Sequence, residues 1–411
     1  MLKKIILENW KSFQYAELPI DPLTVLIGTD ASGKSNVLDA LDFLKRMAWD
    51  VEIHKSLTGD RYFREIRGGL EWASFNDNKE ERQPFTLKAL IQGEDETTDY
   101  LYSITIEIYY RAKLWAESLF RLKQTSGNAI EKVCLFQTDA PSESSIYILL
   151  EEKHQLPFGT DRLYSKLNWL MLVSGLDEEV VGGIKVVLQT LRNIVILNPI
   201  PVNMRDYSAV DDRIEDDASN IAGLLAALPE KQKEQVESTL SAYARKLPVG
   251  DFQKVWAEKV GKFGSHAMLY CEELWKPDEP KLIDARVMSD GTLRFLGIVT
   301  ALLTLPEGSQ LVIEDVDSGL HPSRTDLLIE MLREIGEQRK IDILVTTHNA
   351  AMLDALGPEM VPFVAVAHRD PETGASRLTL LEEIENLPKL MASGTLGKLT
   401  AKGAIERSIS G

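Results

Sequence analysis

The order of hydrophobic and polar positions along this chain changes its period twice, and each change marks a new type of element. Near the N-terminus, short apolar runs predict strands at residues 3–7, 16–20 and 23–27. From residue 85 onward apolar and polar residues often alternate, which is typical of half-buried antiparallel strands. Such strands are predicted at residues 85–92, 99–111, 114–123, 132–137 and 145–150. We interpret this stretch as an antiparallel β-subdomain that follows the first core strands.

A helical period begins near residue 162, where leucines recur three and four positions apart. A short strand is predicted at residues 194–197, and it ends at the breaker Asn198-Pro199-Ile200-Pro201. No stretch between Ser35 and residue 280 sustains heptads, so no long coiled-coil arm is predicted. The helices of this region are predicted at residues 162–173, 177–191, 220–228 and 230–247.

The last third alternates between helices and short apolar strands, which is the pattern of βαβ units with buried parallel strands. Residues 394–411 are predicted to be a loosely packed tail or a segment that binds a partner. The elements before this tail are helices at residues 291–303 and 322–338 and strands at residues 311–313, 343–346 and 361–367.

Composition and charge narrow the class of protein. With 44% hydrophobic and 27% charged residues, the chain has the composition of an ordinary globular protein. The net charge of −17 argues against indiscriminate wrapping of nucleic acid, although it leaves room for a local basic groove. Six carboxylates and one arginine lie between Asp206 and Asp217, a stretch that we interpret as a solvated loop, with a basic partner surface or a mobile loop near a nucleotide as alternatives.

Cysteine usage and the absence of long apolar runs indicate the compartment. Cys134 and Cys271 lie far apart in apolar surroundings, so buried free thiols in a reducing compartment are expected rather than a disulfide. We find no signal peptide pattern and no run of 18 apolar residues. The sequence therefore predicts a cytoplasmic protein without a membrane span.

The segment from Gly28 to Ser35, GTDASGKS, fits the phosphate-loop pattern G-x-x-x-x-G-K-[ST]. It follows an apolar strand and precedes a helix in which Val37, Leu41 and Leu44 recur at helical spacing. Glycines let backbone N–H groups approach phosphate oxygens, and the helix directs its positive end to the same place. The segment therefore predicts a nucleotide site in which Lys34 reaches the phosphates and the Ser35 hydroxyl binds Mg²⁺.

Further polar residues stand where other predicted elements begin or end. Glu314 and Asp315 directly follow the apolar strand at residues 311–313, and a phosphate-loop enzyme needs one carboxylate for Mg²⁺ and another for the attacking water. Ser289-Asp290-Gly291-Thr292 begins a helix and suits an anion, although an ordinary capped helix start explains it too. His348 follows a parallel strand, and His321 is predicted to lie at the same sheet edge. The six histidines show no zinc-ligand spacing with the cysteines, so no zinc site is predicted.

The order of these motifs resembles that of the ABC-type ATPase heads of the RecF, OLD and SMC-like group. Within this group the chain resembles compact bacterial AAA family ATPases, several of which are ATPase subunits of antiphage systems such as Septu and PARIS. The resemblance covers nearly the whole chain and is strongest at residues 1–45 and 285–355. It implies an α/β head with a mixed sheet, an antiparallel β-subdomain and a helical insertion, without a long coiled coil.

The implied domains are a first ATPase lobe at residues 1–160 with the phosphate loop and β-subdomain, a helical insertion and second lobe at 161–290 that leads to the signature, and the C-terminal half of the core with the tail at 291–411. The motif Asn9-Trp10-Lys11-Ser12-Phe13 is similar to the family's N-terminal motif, and Asn203-Met204-Arg205 is similar to its middle motif. Gln92 is one candidate for the family's Q-loop glutamine.

By the same resemblance, Glu314 is the Walker B carboxylate, Asp315 the catalytic base, His348 the switch histidine and Ser318-Gly319-Leu320 the D-loop. Glu314 and Ser35 are then the protein ligands of Mg²⁺. Ser289 to Thr292 is the signature, which in such heads completes the ATP site of a second subunit, so two chains would enclose two ATP molecules. The implied nucleotide contacts are Lys11, Gly28, Asp30, Ala31, Ser32, Gly33, Lys34, Ser35, Asn36, Ser289, Asp290 and Gly291.

Two residues depart from the family pattern. Asp315 stands where glutamate is usual and is one methylene shorter, and Asp30 places a negative charge where asparagine is favoured. Both predict slow ATP hydrolysis, which suits a switch or sensor. The leading hypothesis is a homodimeric ATPase that controls an effector, a nuclease or toxin encoded nearby, in phage defence. The alternatives are a RecF-like DNA clamp for repair or recombination and a scaffold that binds nucleotide without hydrolysing it.

Overall fold

The computed structural model describes residues 1–75, 83–125, 129–138, 146–150, 154–159, 161–247, 251–276 and 279–410. Its strands are β1 Leu2–Trp10, β2 Phe13–Pro19, β3 Leu23–Ile27, β4 Phe85–Gln92, β5 Thr98–Ile108, β6 Ala112–Gln124, β7 Ile130–Thr138, β8 Ile146–Leu150, β9 His154–Gly159, β10 Ile194–Leu197, β11 Ser208–Ala209, β12 Asp251–Val260, β13 His266–Lys276, β14 Glu279–Asp284, β15 Gln310–Ile313, β16 Asp342–Thr346, β17 Val364–Arg369 and β18 Ser376–Leu380.

The helices are short, and the longest described one, α6, has 16 residues. They are α1 Lys34–Ala48, α2 Ile53–Thr58, α3 Leu167–Leu170, α4 Glu178–Arg192, α5 Ile221–Ala227, α6 Glu230–Arg245, α7 Asp290–Thr304, α8 Thr325–Arg339, α9 Ala350–Ala355, α10 Leu387–Ser393, α11 Leu396–Ala401 and α12 Ala404–Ser410. The 3₁₀ helices are Asn203–Arg205, Ala285–Val287, Pro322–Arg324, Pro358–Phe363 and Leu381–Glu383.

One mixed sheet runs through the described part of the chain in the order β10-β15-β16-β3-β17-β18-β2-β1-β4-β5-β6-β7-β8-β9. Strands β10, β15, β16, β3 and β17 are parallel, as the βαβ pattern predicts. From β2 through β1 to β9 the pairs are antiparallel, and β4 to β8 of this run correspond to the predicted β-subdomain. The α/β class with a mixed sheet and an antiparallel β-subdomain is therefore confirmed.

The parallel and antiparallel halves of the large sheet meet at one place. Strand β18 joins β2 through one described register pair, Ser376 opposite Phe13. The Ser376 hydroxyl also donates to Ser12 Oγ at 2.8 Å, and Asn36 at the start of α1 donates to the same oxygen at 2.7 Å. We call this junction the seam. The phosphate loop lies against it, as shown by Gly33, at which an added Cβ would lie 2.7 Å from Ser376 Oγ.

Both faces of the parallel half are buried. On β15, Leu311 and Ile313 pack into one hydrophobic cluster, and Val312 packs into the other. The first cluster contains α5, α6, α7 and α8, and the second contains α1, α4 and the β-subdomain. Parallel strands covered on both faces read as continuous apolar runs, which explains why β3, β15 and β16 are easy to find in the sequence.

The region at residues 161–290, predicted to be a helical insertion, also contains a second sheet that the sequence interpretation missed. Strands β12, β13 and β14 form an antiparallel meander, and β11 pairs with β13. A register shift between Phe252 and Lys254 interrupts the alternation of β12, and β13 buries consecutive residues from Ala267 to Leu269. Neither strand therefore shows a clean period of two.

The predicted helix at residues 162–173 is wrong, because the structure has only the short α3 there. The buried carboxylate of Glu117 on β6 accepts hydrogen bonds from Ser165 Oγ at 2.6 Å and Lys166 N at 2.7 Å. It also accepts one from the Tyr102 hydroxyl at 2.7 Å. These bonds hold the segment in an irregular course against the β-subdomain, while Leu167 and Leu170 still reach the core.

The C-terminal tail is packed rather than loose, which corrects that expectation for residues 394–410. Leu396, Leu399 and Ile405 are buried in the first hydrophobic cluster. Asp354 on α9 accepts hydrogen bonds from Gly397 N at 2.6 Å and Thr395 Oγ1 at 3.1 Å. Gly411 of the predicted tail and Ser145 of the predicted strand at residues 145–150 lie outside the described residues.

Cys134 and Cys271 are free thiols, as predicted, but only Cys271 is fully buried, and Cys134 is half-buried. Burial raises the pKa of both thiols, that of Cys271 to about 12. Among the described residues, no helix has both the length and the hydropathy of a membrane span.

Asp342, at the start of β16, generates a prediction about stability and pH. Its side chain is buried, and burial raises its pKa to about 6, against the opposing charge of the N-terminal ammonium. The unfolded chain therefore ionises first as the pH rises, so stability falls between about pH 4 and pH 6 and the loss is complete above that range. We expect Asp342→Asn to gain about 1–3 kcal/mol at pH 8 and almost nothing at pH 4. Urea unfolding of both proteins across this range measures the difference, and a difference independent of pH would contradict the assignment.

Candidate functional site

The loop between β3 and α1 has a backbone that only small residues can form. Gly28 has φ +145° and Gly33 has φ +113°, both in the region that favours glycine. A Cβ on Gly28 would lie 2.2 Å from the carbonyl oxygen of Ala367 on β17. Between these glycines Asp30 and Ala31 are exposed, and Ala31 has φ +59°. The loop is therefore a tight turn packed directly on the neighbouring strand.

Lys34 points back into this turn. Its ammonium donates to the carbonyl oxygens of Gly28 at 2.7 Å and Thr29 at 3.0 Å. Burial lowers the pKa of Lys34, while the charges of Asp30, Asp315 and Glu314 oppose that change. Two carbonyl dipoles hold the ammonium inside the turn, where its positive charge is available to a phosphate group.

The N-terminus of α1 completes an anion-binding geometry. Gly33 occupies the cap position without a side-chain cap, and the first turn contains no acidic residue. The leading N–H groups of a helix have no intrahelical partner and carry positive partial charge. Ser32 adds a buried hydroxyl that has no hydrogen-bond partner within the described ranges. These donors fit a phosphate group.

The predicted metal residues come together across the chain. Ser35 Oγ donates to Glu314 Oε1 at 2.6 Å, although the two residues lie 279 positions apart in sequence. Hydroxyl and carboxylate oxygens are ligands that Mg²⁺ prefers. The pair therefore fits the magnesium role expected of Ser35 and Glu314.

Arg67 also reaches this pair, and the sequence interpretation missed it. Its Nη1 lies 2.6 Å from Glu314 Oε1, and its Nη2 lies 2.9 Å from Asp39 Oδ1 on α1. The guanidinium places a positive charge against the carboxylate that is expected to bind the metal. The Gly68-Gly69 pair after Ile66 and Arg67 indicates a turn in the sequence. Nothing in the local sequence shows that this turn approaches Glu314.

Lys11 has a partner within the protein. Its Nζ contacts Asp39 Oδ2 at 2.5 Å and the Arg67 carbonyl oxygen at 2.6 Å, and burial lowers its pKa. The direct contact with nucleotide therefore stays a prediction for Lys11. Gln92 lies at the other end of the β-subdomain, where its N–H donates to the carbonyl of Met1.

Asp315 and His348 meet at the carboxyl ends of β15 and β16. His348 Nδ1 lies 3.6 Å from Asp315 Oδ1, and both side chains are partly exposed. Asp315 has φ +44°, and its N–H donates to Thr346 Oγ1 at 2.8 Å. Glu314 and Asp315 both follow the last residue of β15, so strand alternation does not fix their directions. Glu314 contacts Ser35, while Asp315 lies beside His348.

Asp317 fixes the loop that follows these carboxylates. It is buried, and Thr347 Oγ1 donates to its carboxylate at 2.5 Å. This bond ties the predicted D-loop to the segment that contains His348. His321 contacts Ser323 Oγ through Nδ1 at 2.9 Å and is exposed.

The predicted signature begins α7. Ser289 caps the helix by accepting from Thr292 N at 3.2 Å, and Ser289 and Asp290 are exposed. A Cβ on Gly291 would lie 2.7 Å from the carbonyl oxygen of Gly319. The signature therefore packs against the predicted D-loop and presents its first two residues to solvent.

A cavity of about 640 Å³ adjoins the phosphate loop. Asn36, Arg67, Trp72 and Arg369 line it, and the Arg369 Nε donates to the carbonyl oxygen of Ala31 at 3.0 Å. Arg369 belongs to the hairpin between β17 and β18, which the sequence interpretation did not connect with the site. The cavity therefore lies directly beside the start of α1 and the phosphate loop.

Two family models match the chain. Residues 1–159 match the AAA ATPase domain, and residues 216–354 match the AAA domain described as "putative AbiEii toxin, Type IV TA system". No match was found among curated proteins.

Solved structures of SMC heads are similar to the chain. The SMC head bound to the C-winged helix domain of ScpA is 13% identical with a TM-score of 0.51, and the match covers 92% of this chain and 97% of that one. The Thermotoga maritima head is 14% identical with a TM-score of 0.41, covering 92% and 98%. A Pyrococcus furiosus head bound to the C-terminal domain of ScpA is 12% identical with a TM-score of 0.49, covering 95% and 99%.

The close approach of Gly28 to Ala367 predicts that Gly28→Ala abolishes nucleotide binding and lowers the melting temperature. The added methyl would collide with a backbone oxygen, and we expect a cost of about 2–4 kcal/mol. The control is Gly175→Ala, because Gly175 has φ +83° but no heavy atom within 4 Å of the point that a Cβ would occupy. This control should cost about 1 kcal/mol and keep binding. Titration with a fluorescent ATP analogue and thermal unfolding measure both effects, and normal binding by Gly28→Ala would contradict the prediction.

Proposed function

We propose a function for this chain as an ABC-type ATPase head of the SMC- and RecF-like group: it binds Mg-ATP on the phosphate loop and hydrolyses it slowly. The observation that carries the proposal is the contact between Ser35 and Glu314, because it unites the loop after β3 with the carboxylate after β15. The AAA family models at residues 1–159 and 216–354 contain one of these residues each and support the same activity.

Different residues of the chain are proposed to bind the phosphates, to hold Mg²⁺ and to activate the attacking water. Lys34 and the N–H groups of α1 hold the phosphates, and the 640 Å³ cavity beside Asn36 accepts the base and ribose. Ser35 and Glu314 would hold Mg²⁺, which would supply positive charge to the phosphate oxygens. Asp315 Oδ1 accepts the proton of the attacking water, and His348 lies beside this carboxylate to orient it.

The proposed active unit is a homodimer. The exposed start of α7 offers a capped helix N-terminus with Ser289 and Asp290 facing solvent. A second copy that brings its phosphate loop to this surface would place its nucleotide between Lys34 of one chain and Ser289 of the other. Closure of two chains around ATP then couples nucleotide state to shape.

The proposed role is control of an effector in bacterial phage defence. The family model at residues 216–354 carries the name of a putative toxin of a type IV TA system, which supports a defence setting. The motifs of this chain account for nucleotide chemistry, so a partner protein would act on the target. Slow hydrolysis by Asp315 suits a switch whose closed state persists.

The test is steady-state phosphate release with Mg-ATP over a range of protein concentrations. We expect specific activity to rise with concentration, because the active site needs two chains. Asp315→Ala should lower the rate by about 10²-fold or more through loss of the base. Ser289→Arg should abolish release while each chain still binds nucleotide, and Ser238→Arg, at an exposed serine of α6, is the control that should retain activity.

Other outcomes of this test favour other functions. Nucleotide binding without any release by the wild type would favour a scaffold that never hydrolyses ATP. Salt-sensitive duplex binding that strengthens with ATP would favour a RecF-like clamp. Cleavage of nucleic acid by the isolated chain would contradict control of a separate effector.

A further inference from the structure

Arg205 lies between β10 and the acidic stretch that begins at Asp206, and its side-chain contacts are with the turn that leads into the predicted signature. After the breaker at Asn198 to Pro201, the chain forms the 3₁₀ helix Asn203–Arg205. Met204 is buried beneath it, and a Cβ on Gly297 of α7 would lie 3.1 Å from Met204 Cε. This packing anchors the short helix on α7, one residue before Arg205.

The guanidinium of Arg205 binds the turn that leads into α7. Its Nη1 donates to the carbonyl oxygen of Met288 at 2.6 Å, of Ala285 at 3.1 Å and of Arg286 at 3.2 Å. Its Nη2 contacts Asp290 Oδ1 at 2.5 Å. One planar group therefore joins three backbone carbonyls before the signature to the side chain of the second signature residue.

These contacts define the shape of the turn. The carbonyl group of Arg286 lies near the end of the 3₁₀ helix Ala285–Val287 and that of Met288 lies between this helix and α7, and a guanidinium satisfies several carbonyl groups at fixed angles. Lysine cannot replace it, because an ammonium is a point charge without the planar fork. The contribution to stability is expected to be small, since the Asp290 side chain is 71% exposed and surface ion pairs contribute little.

The same contacts change the charge of the turn. Asp290 lies in the first turn of α7, where its carboxylate would repel an anion that approaches the helix N-terminus. Arg205 neutralises this carboxylate and holds it to one side. The turn thereby becomes compatible with a phosphate.

From this geometry we propose that Arg205 is a positioning residue, which holds Met288 to Gly291 in the arrangement that receives the nucleotide of a second copy. The inference rests on the proposed function, because the signature acts on the ATP bound by the other chain. Loss of Arg205 therefore impairs turnover in the closed dimer but leaves the phosphate loop of its own chain intact.

The first experiment separates binding from turnover in Arg205→Ala and Arg205→Lys. Both variants should bind a fluorescent ATP analogue as well as the wild type at low protein concentration, while kcat for phosphate release falls about 10- to 100-fold. Arg205→Lys should have a kcat close to that of Arg205→Ala, because an ammonium cannot reproduce the planar guanidinium contacts. The matched control is Arg245→Ala, which removes an arginine that donates to the carbonyl of Gln253 at 3.0 Å and should keep its kcat.

The second experiment mixes two variants that each have little or no activity alone. Arg205→Ala has an intact phosphate loop, and Lys34→Ala has an intact signature, so a mixed dimer contains one complete site. An equal mixture should recover up to about a quarter of the wild-type rate, because half of the dimers formed at random are mixed and each has one site of two. The mixture of Ser289→Arg with Lys34→Ala is the reference and should recover the same fraction.

The outcomes distinguish the two levels of the proposal. Recovery in both mixtures, with normal nucleotide binding by Arg205→Ala, supports the positioning role. Recovery in the mixture with Ser289→Arg but not in the mixture with Arg205→Ala overturns the positioning role and leaves the composite site supported. An unchanged kcat of Arg205→Ala overturns the positioning role as well. Recovery in neither mixture overturns the composite site and this inference with it.

Discussion

The geometry of the nucleotide site depends on one constraint, the position of β3 in the interior of the parallel sheet between β16 and β17. Parallel strands end at the same edge, so the loop after β3 must meet the residues that follow β15, β16 and β17. Ser35 reaches Glu314, Asp315 reaches His348 and Arg369 reaches Ala31 for this single reason. Residues separated by hundreds of positions thus form one site without any local sequence signal that links them.

The parts that could be predicted from sequence are those in which chemistry and backbone are specified locally. The run from Gly28 to Ser35 needs its glycines because of its own dihedral angles and the nearby strand, so the motif alone predicts the loop. The continuous apolar runs of β3, β15 and β16 predict buried parallel strands in the same way. The pairing of Glu314 with Ser35 as metal residues is implied by the family resemblance, and the contact between the two side chains is consistent with it.

The parts that sequence reasoning missed depend on contacts between distant segments. Arg67 acts at the site only because its turn is folded against α1 and Glu314, and Arg369 only because the hairpin after β17 approaches Ala31. The second sheet escaped prediction because a register shift in β12 and consecutive buried residues in β13 remove the period of two. The structure offers an explanation for aspartate at position 315, where the resembled family usually has glutamate. Asp315 has φ +44°, and aspartate tolerates this left-handed backbone better than the longer glutamate does.

The seam at Phe13 and Ser376 has a mechanical consequence. At the other junctions of the large sheet neighbouring strands share at least two described register pairs, whereas this junction has one. Each backbone hydrogen bond across a junction contributes about 0.5–1.5 kcal/mol, and among the described residues this junction has the fewest register pairs of the large sheet. The phosphate loop lies on it, with Gly33 against Ser376 and Asn36 bonded to Ser12. A ligand that fills the loop therefore lies at this junction, where a small change of angle between the two halves of the sheet corresponds to a large displacement at the far end of the β-subdomain.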